Sequence, residues 1–418
     1  MLDRSSGAVR ILTKIKGDEE AVSKMRGVTL IADWDPKPDF KLGSKDIEKK
    51  QTYSGSKVWR NPRIQILEYD IPEPGPEEVV IEVKAVGICG SDVHMAQPDD
   101  DGYIFYPGLT GFPAILGHEF SGVVAKAGPN AINKRTNKPF EPGEPVTAEE
   151  MIWCGQCKPC ADGYPNHCEQ LDELGFNVHG ALTKYVKVPS RVVWSLEPLK
   201  RRYSGDDLFL AGSLVEPTSV AYNAVIERGG GIRPGDNVVI CGAGPIGVAA
   251  CAVLKRMGAA RVILSEPVKE RAELGKKLGA DYIIDPTQED FAERVLELTD
   301  GMGASLFLEA TGLPTIVYPG IEQVIWEGRT LNSTVVVVAR ADAKMPVTGE
   351  VLQVRRAQIV GAQGHSGHGT FPRVIESMAA GMDMTPMITK KIALDEVPEN
   401  IIELRTNRCD CKITCVMD

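Results

Sequence analysis

From Met25 onward the chain shows short stretches in which apolar and polar positions alternate. Met25-Arg26-Gly27-Val28-Thr29-Leu30-Ile31, Ile64-Gln65-Ile66-Leu67-Glu68 and Val79-Val80-Ile81-Glu82-Val83 read as half-buried strands. Pro72-Glu73-Pro74-Gly75-Pro76 supplies a turn between the last two. Phe120-Ser121-Gly122-Val123-Val124-Ala125 and Tyr185-Val186-Lys187-Val188 continue the all-β pattern. Residues 36–58, polar and rich in lysine (Lys45, Lys49, Lys50), read as a solvated insertion. Residues 1–24 carry mixed charge and no apolar period, so they read as an N-terminal extension, with Met25 a candidate start of translation.

At Asp236 the period changes. Val238-Val239-Ile240-Cys241 is a continuous apolar strand that runs into a glycine-rich turn and an apolar helix through Leu254. Further apolar strands follow at 261–266, 282–284, 305–309, 334–338 and 358–361, with helical spacing over 268–279 and 288–298. Apolar strands alternating with helices predict an α/β unit: six parallel strands, doubly wound, with helices on both faces. After residue 365 the first pattern returns. The organisation predicted is an extension (1–24), a mainly-β domain (25–222) with a cysteine lobe at 150–170, an α/β domain (223–364), and a return to the mainly-β domain (365–418).

A length of 418 residues accommodates two cores. The net charge of −10 argues against a nucleic-acid partner and gives no attraction to anionic lipid. The longest uncharged run, 238–254, is shorter than the ~20 residues of a membrane span and is broken by glycine and proline. Met1-Leu2-Asp3-Arg4 does not open an apolar secretory segment, so the ten cysteines point to metal thiolates in a reducing cytoplasm rather than to disulfides.

Three motifs carry chemistry. Cys89-Gly90-Ser91-Asp92-Val93-His94, followed by Gly117-His118-Glu119, offers a thiol, an imidazole and a carboxylate beside a hydroxyl, a set suited to catalytic zinc. Cys154, Cys157 and Cys160, closed by Cys168, have the spacing of a structural zinc site with four thiolates. Gly242-Ala243-Gly244-Pro245-Ile246-Gly247 sits between strand and helix, and Glu266 follows Gly247 by 19 residues, at the end of the next strand. That context fits a dinucleotide whose pyrophosphate rests on a helix N-terminus. An acid at Glu266 favours NAD over NADP, while Lys269 and Arg271 keep NADP open. Glu216, in Leu214-Val215-Glu216-Pro217, is either a charge at a helix N-terminus or a further zinc-facing carboxylate. His167, His365 and His368 read as loop residues, and Cys409, Cys411 and Cys415 as strand residues.

Taken together, these motifs resemble those of the zinc-dependent medium-chain alcohol and polyol dehydrogenases, from about Met25 onward. The resemblance implies a GroES-like catalytic domain split around a Rossmann domain, with substrate in the cleft, and a homodimer or homotetramer. It implies Cys89, His118 and Glu119 as zinc ligands, with Glu216 additional or exchanging. Ser91 would hydrogen-bond the substrate oxygen, His94 would relay its proton to solvent, and Asp92 would orient the ligating imidazole. With fewer thiolates on the metal, a substrate hydroxyl would ionise more readily near neutral pH.

The insertion at 36–58 and the enlarged loop 95–116 (Asp99, Asp100, Asp101, Tyr103, Tyr106) depart from common members. A polar loop over the cleft suits a polyhydroxylated substrate, a polyol or cyclitol, though a subunit interface is the alternative. With its insertions the sequence resembles a cyclitol-oxidising branch of inositol catabolism. Branches acting on threonine, sorbitol or butanediol share every motif. Two other classes fit part of the pattern: a non-catalytic zinc- and nucleotide-binding protein, and a zinc-free reductase.

Overall fold

The computed structural model describes residues 24–341, 343–365 and 367–417; most of the N-terminal extension lies outside them. Lys24–Trp34 pairs antiparallel with Trp59–Asp70 in a long hairpin, and Thr29 and Leu30 also pair with Ile115 and Ala114. The hairpin caps one side of a seven-stranded sheet. Its order is Val193–Ser195, Pro145–Ala148, Glu119–Ala127, Glu78–Gly87, Lys412–Val416 and Ile388–Ile392, and Tyr185–Pro189 also pairs with Glu78–Gly87. Val79, Ile81, Val83, Phe120, Val146, Val186 and Ile413 fill one core beneath it. Strands more than 300 residues apart in sequence therefore share one sheet, which the chain rejoins at Ile388–Ile392.

The insertion is only half solvated. The Ser44–Lys49 helix buries nothing, as expected. Residues 51–59 instead dock on the enlarged loop: Thr52 and Thr110 exchange backbone hydrogen bonds of 3.0 and 2.9 Å, and Val58 and Trp59 are core residues. Trp59 stands edge-on to both Trp34 and Phe112 at about 5 Å. Aromatic burial outweighs the polar composition of the segment.

The second sheet has six parallel strands in the order Tyr282–Ile284, Arg261–Ser265, Asn237–Cys241, Leu306–Glu309, Thr334–Val337 and Gln358–Gly361. This is the doubly wound arrangement, with its switch point beside Asn237–Cys241. The Thr370–Ala379 helix packs Phe371, Val374, Ile375 and Met378 into the same core as Val238, Ile240 and Leu254. The helices Asp206–Ser213 and Val215–Tyr222 add Leu208, Ala211, Leu214 and Ala221 to it. That shared core joins the two sheets and sets the cleft between them.

Candidate active site and metal centres

The Gly90–Ala96 helix organises the first site. Asp92, fully buried in its first turn, accepts the Cys89 backbone N–H at 2.9 Å with one oxygen and the Gly117 N–H at 3.4 Å with the other. One carboxylate thus ties together the two segments that carry the motif. It also lies 3.7 Å from His118 Nδ1, which leaves Nε2 to face the thiol side. Ser91 Oγ is 3.3 Å from that Nε2. The Cys89 sulfur, a His118 ring nitrogen and a Glu119 oxygen all lie within 4.8 Å of one another. Glu119 and His118 are buried, and His118 Nδ1 has no hydrogen-bond partner among the described residues. A soft thiolate, an imidazole and a carboxylate converging in a buried pocket fit zinc.

Glu119 also meets Lys412, which the sequence did not single out. Gly87 makes the room: a Cβ there would lie 2.3 Å from Glu119 Oε2 and 3.1 Å from Lys412 Cδ.

Glu216 is in the first turn of Val215–Tyr222, the helix N-terminal position that one of its two sequence readings gave it. Its nearest metal-type donors, however, are Glu150 and His365, not the Cys89 trio. His365 lies in a loop as expected, but not at its surface. It is fully buried, hydrogen-bonded through Nε2 to Glu150 Oε2, and 3.3 Å from Glu216 Oε1. Burial opposes the charge on His365, but Glu150 outweighs it and raises the imidazole pKa to about 9. Burial, reinforced by Glu150, pushes Glu216 well above the usual carboxylate range. A pair of glutamates, Glu149 and Glu150, set between the buried strands Pro145–Ala148 and Met151–Ile152, was the one signal that could have flagged Glu150. His368 is exposed, 4.0 Å from Glu227, and His167 is exposed as expected.

The four lobe sulfurs also cluster within 4.8 Å. Backbone N–H groups of Cys154, Gln156 and Gln170 donate to sulfur at 3.2–3.5 Å. The Gln156 N–H, first among several donors, draws the Cys154 thiol down to about 6. These are features of a thiolate cage, and none of the ten cysteines is in a disulfide. Of the three cysteines read as strand residues only Cys415 lies in the last strand; Cys411 falls just before it, and Cys409 is exposed.

At the second sheet Gly242 has φ +96°, and a Cβ on Gly247 would stand 1.9 Å from the Gly242 carbonyl oxygen. Nothing lies within 4 Å of a Cβ on Gly244, the open place where a pyrophosphate approaches the N-terminus of Pro245–Arg256. Ile246 follows Pro245 in that helix's first turn. Glu266 reaches back to this turn, accepting the Ala243 N–H at 2.7 Å and the Val268 N–H at 2.9 Å. Arg271 is turned elsewhere, to the Asp410 carbonyl at 3.1 Å.

A cavity of about 980 Å³ is lined by residues of both domains. Its wall runs from Ser91, Tyr106 and Phe176 to Val337–Arg340 and Gly361–Gly364 at the carboxyl ends of two parallel strands. Of the enlarged loop only Tyr106 reaches it. Asp99 and Asp101 bond within their own turn and to Lys37 and Arg60, and Tyr103 lies under those same cations. His94 is exposed near the end of its helix, and desolvation followed by the Arg408 cation holds its pKa below the ordinary value.

A mainly-β domain with a Cys-His-Glu pocket, interrupted by a dinucleotide-binding sheet, defines a zinc-dependent medium-chain dehydrogenase. Residues 75–198 match the alcohol dehydrogenase GroES-like domain, and residues 245–380 match the zinc-binding dehydrogenase domain. A scyllo-inosose 3-dehydrogenase of Thermotoga maritima is 66% identical over 393 residues, which cover 93% of this chain and 99% of that protein. An L-threonine 3-dehydrogenase of Pyrococcus horikoshii is 32% identical over 343 residues, 81% of this chain and 91% of that one. A solved Thermotoga maritima structure assigned as an alcohol dehydrogenase is 66% identical, covers 94% of this chain and all of its own, and superposes with a TM-score of 0.91. The chain belongs to the zinc-binding medium-chain dehydrogenase family, and it is an enzyme with zinc and a nicotinamide dinucleotide as cofactors. Both the non-catalytic reading and the zinc-free reductase are thereby set aside. Among the described residues, no helix is long and apolar enough to cross a membrane.

Proposed function

We propose that this enzyme oxidises a secondary hydroxyl of a polyhydroxylated ring, scyllo-inosose first among them, to a ketone with NAD+ as hydride acceptor. One observation carries the reading. A single cavity touches both Ser91, beside His118, and the strand ends at Val337 and Gly361, where a nicotinamide belongs in this fold. The 66% identity to the scyllo-inosose enzyme supports the substrate.

Cys89, His118 and Glu119 would hold the catalytic zinc, with Glu216 exchanging, and the four lobe thiolates would hold the structural one. Bound zinc supplies Lewis acidity that eases loss of the substrate hydroxyl's proton, and the cofactor takes the hydride. Ser91 Oγ orients that hydroxyl and accepts its proton. His94, three residues on and so on the same helix face, passes the proton to solvent. Asp92 fixes the His118 ring. Gly242, Gly244, Pro245, Ile246 and Gly247 cradle the pyrophosphate, and Glu266 accepts the ribose hydroxyls, with Arg271 at the margin of that site. The sum is a secondary alcohol and NAD+ giving ketone, NADH and a proton.

A reducing cytoplasmic setting and a homo-oligomer built on the outer strand Gln358–Gly361 complete the reading. The test is NADH formation by zinc-loaded enzyme with scyllo-inosose, myo-inositol, sorbitol, L-threonine and 2,3-butanediol. Preference for scyllo-inosose is expected. Preference for threonine or a linear diol overturns the substrate and keeps the chemistry.

A further inference from the structure

The cavity wall holds three carboxylates that the reaction just described does not use: Glu150, bonded to His365, Glu227, 4.0 Å from His368, and Glu173. We propose that Glu173 selects the substrate, accepting hydrogen bonds from hydroxyl groups remote from the carbon being oxidised. The proposal rests on the polyol reading above and deepens it.

Glu173 lines the same cavity as Ser91 and Tyr106, yet it is only 5% exposed. Its Oε2 is buried and has no hydrogen-bond partner among the described residues. A buried carboxylate oxygen left unpartnered is costly, and the large majority of buried side-chain polar atoms are paired. The backbone beneath it is fixed. Glu173 pairs with Met151 in a short two-stranded ladder, and its N–H donates to Asn177 Oδ1 at 2.7 Å.

The same turn carries Phe176, whose ring lies 4.7 Å from that of His118 and 5.3 Å from that of Tyr106. Glu173 is therefore held one turn from the reacting groups. Its electrostatic neighbours are Glu150, Arg340, His118 and His365, of which only Arg340 is a permanent cation. Burial, reinforced by Glu150, brings the carboxyl to about 7.

An ionised carboxylate offers two acceptor oxygens and no donor, which matches a vicinal pair of hydroxyls. A simple secondary alcohol has no second hydroxyl to give. It would leave the carboxylate desolvated and unpaired, and sites built to hydrogen-bond a hydroxyl discriminate strongly against analogues lacking it.

The experiment compares zinc-loaded wild type, Glu173→Gln and Glu173→Leu at saturating NAD+, with scyllo-inosose and with 2-butanol. Melting temperature and zinc content are checked for each protein. In Glu173→Leu, kcat/KM for scyllo-inosose should fall at least about 100-fold, mostly through KM, while the 2-butanol value stays within threefold or rises. Glu173→Gln keeps one acceptor oxygen and should lose about tenfold on the ring substrate alone, so it carries the test if the leucine variant does not fold. Equal losses on both substrates, or none on either, overturn the proposal while the polyol reading stands. A wild type that turns over no polyhydroxylated substrate overturns both, and that failure shows before any variant is made.

Discussion

Lys412 Nζ donates to Glu119 Oε1 across 2.6 Å, and each side chain is 1% exposed. The ammonium also donates to the Ile88 carbonyl at 3.1 Å. Truncating one partner of such a pair leaves a buried charge uncompensated, which costs about 3–5 kcal/mol. Lys412→Met should lose stability on that scale when zinc is stripped, and visibly less with zinc bound, because the metal then compensates Glu119. Denaturant melts with and without chelator measure the difference. Equal losses in both states would mean that Glu119 does not face the metal.

Cys157→Ser should release one of two zinc ions and lower the melting temperature by several degrees. Molecules that remain folded should keep their turnover, since the lobe braces the catalytic domain and lies apart from the Cys89 pocket. Elemental analysis beside activity per folded molecule decides this. A stable variant with selectively lost activity would contradict a structural role.

Glu266→Ala should weaken NAD more than NADP, by about tenfold. That corresponds to about 1.4 kcal/mol, just below the range of about 1.5–3 kcal/mol for a hydrogen bond to a charged group. The side chain also caps the glycine turn through the Ala243 and Val268 N–H groups, so some general loss for both cofactors accompanies it. Calorimetric titration with each cofactor reads the ratio.

His94→Ala should lower kcat by about tenfold to a hundredfold at neutral pH, toward the lower end of what a positioned proton-transfer group contributes. Added imidazole should restore part of it. A rate that ignores both the substitution and the buffer would remove His94 from the relay.

Glu173 links substrate choice to stability. Its folded-state pKa of about 7 lies above the unfolded carboxyl value, so the native state binds the extra proton. Its contribution is most favourable below about pH 4 and is lost as pH rises through 7. Glu173→Gln should therefore match wild type in acid and exceed it at pH 8 by up to about 3 kcal/mol. Melting curves across pH 5–8, with cofactor and substrate left out, give the slope.

The features legible in the sequence were those written in neighbouring residues. The six parallel strands, the Gly242–Gly247 turn and the four lobe cysteines are local patterns, and the fold places each as expected. Residues 51–59 were misread because polarity is judged residue by residue, whereas Val58 and Trp59 find their core on a loop some fifty residues away. Lys412 reads as an ordinary strand residue, since the carboxylate that neutralises it lies 293 positions earlier. His365 and Glu150 are 215 positions apart, and nothing near either one announces the other. Buried polar pairs that span the chain are fixed by topology, and they leave no periodic trace.

The strand Lys412–Val416 slots between Glu78–Gly87 and Ile388–Ile392 in the catalytic sheet. On the ribosome, Glu119 is made long before it, and the whole dinucleotide-binding unit emerges in between. Until residue 412 leaves the tunnel, the catalytic sheet has a gap and Glu119 has no ammonium beside it. Zinc captured early would therefore meet an unfinished site. The order of synthesis means that the pocket that performs the chemistry is completed only after the dinucleotide-binding unit.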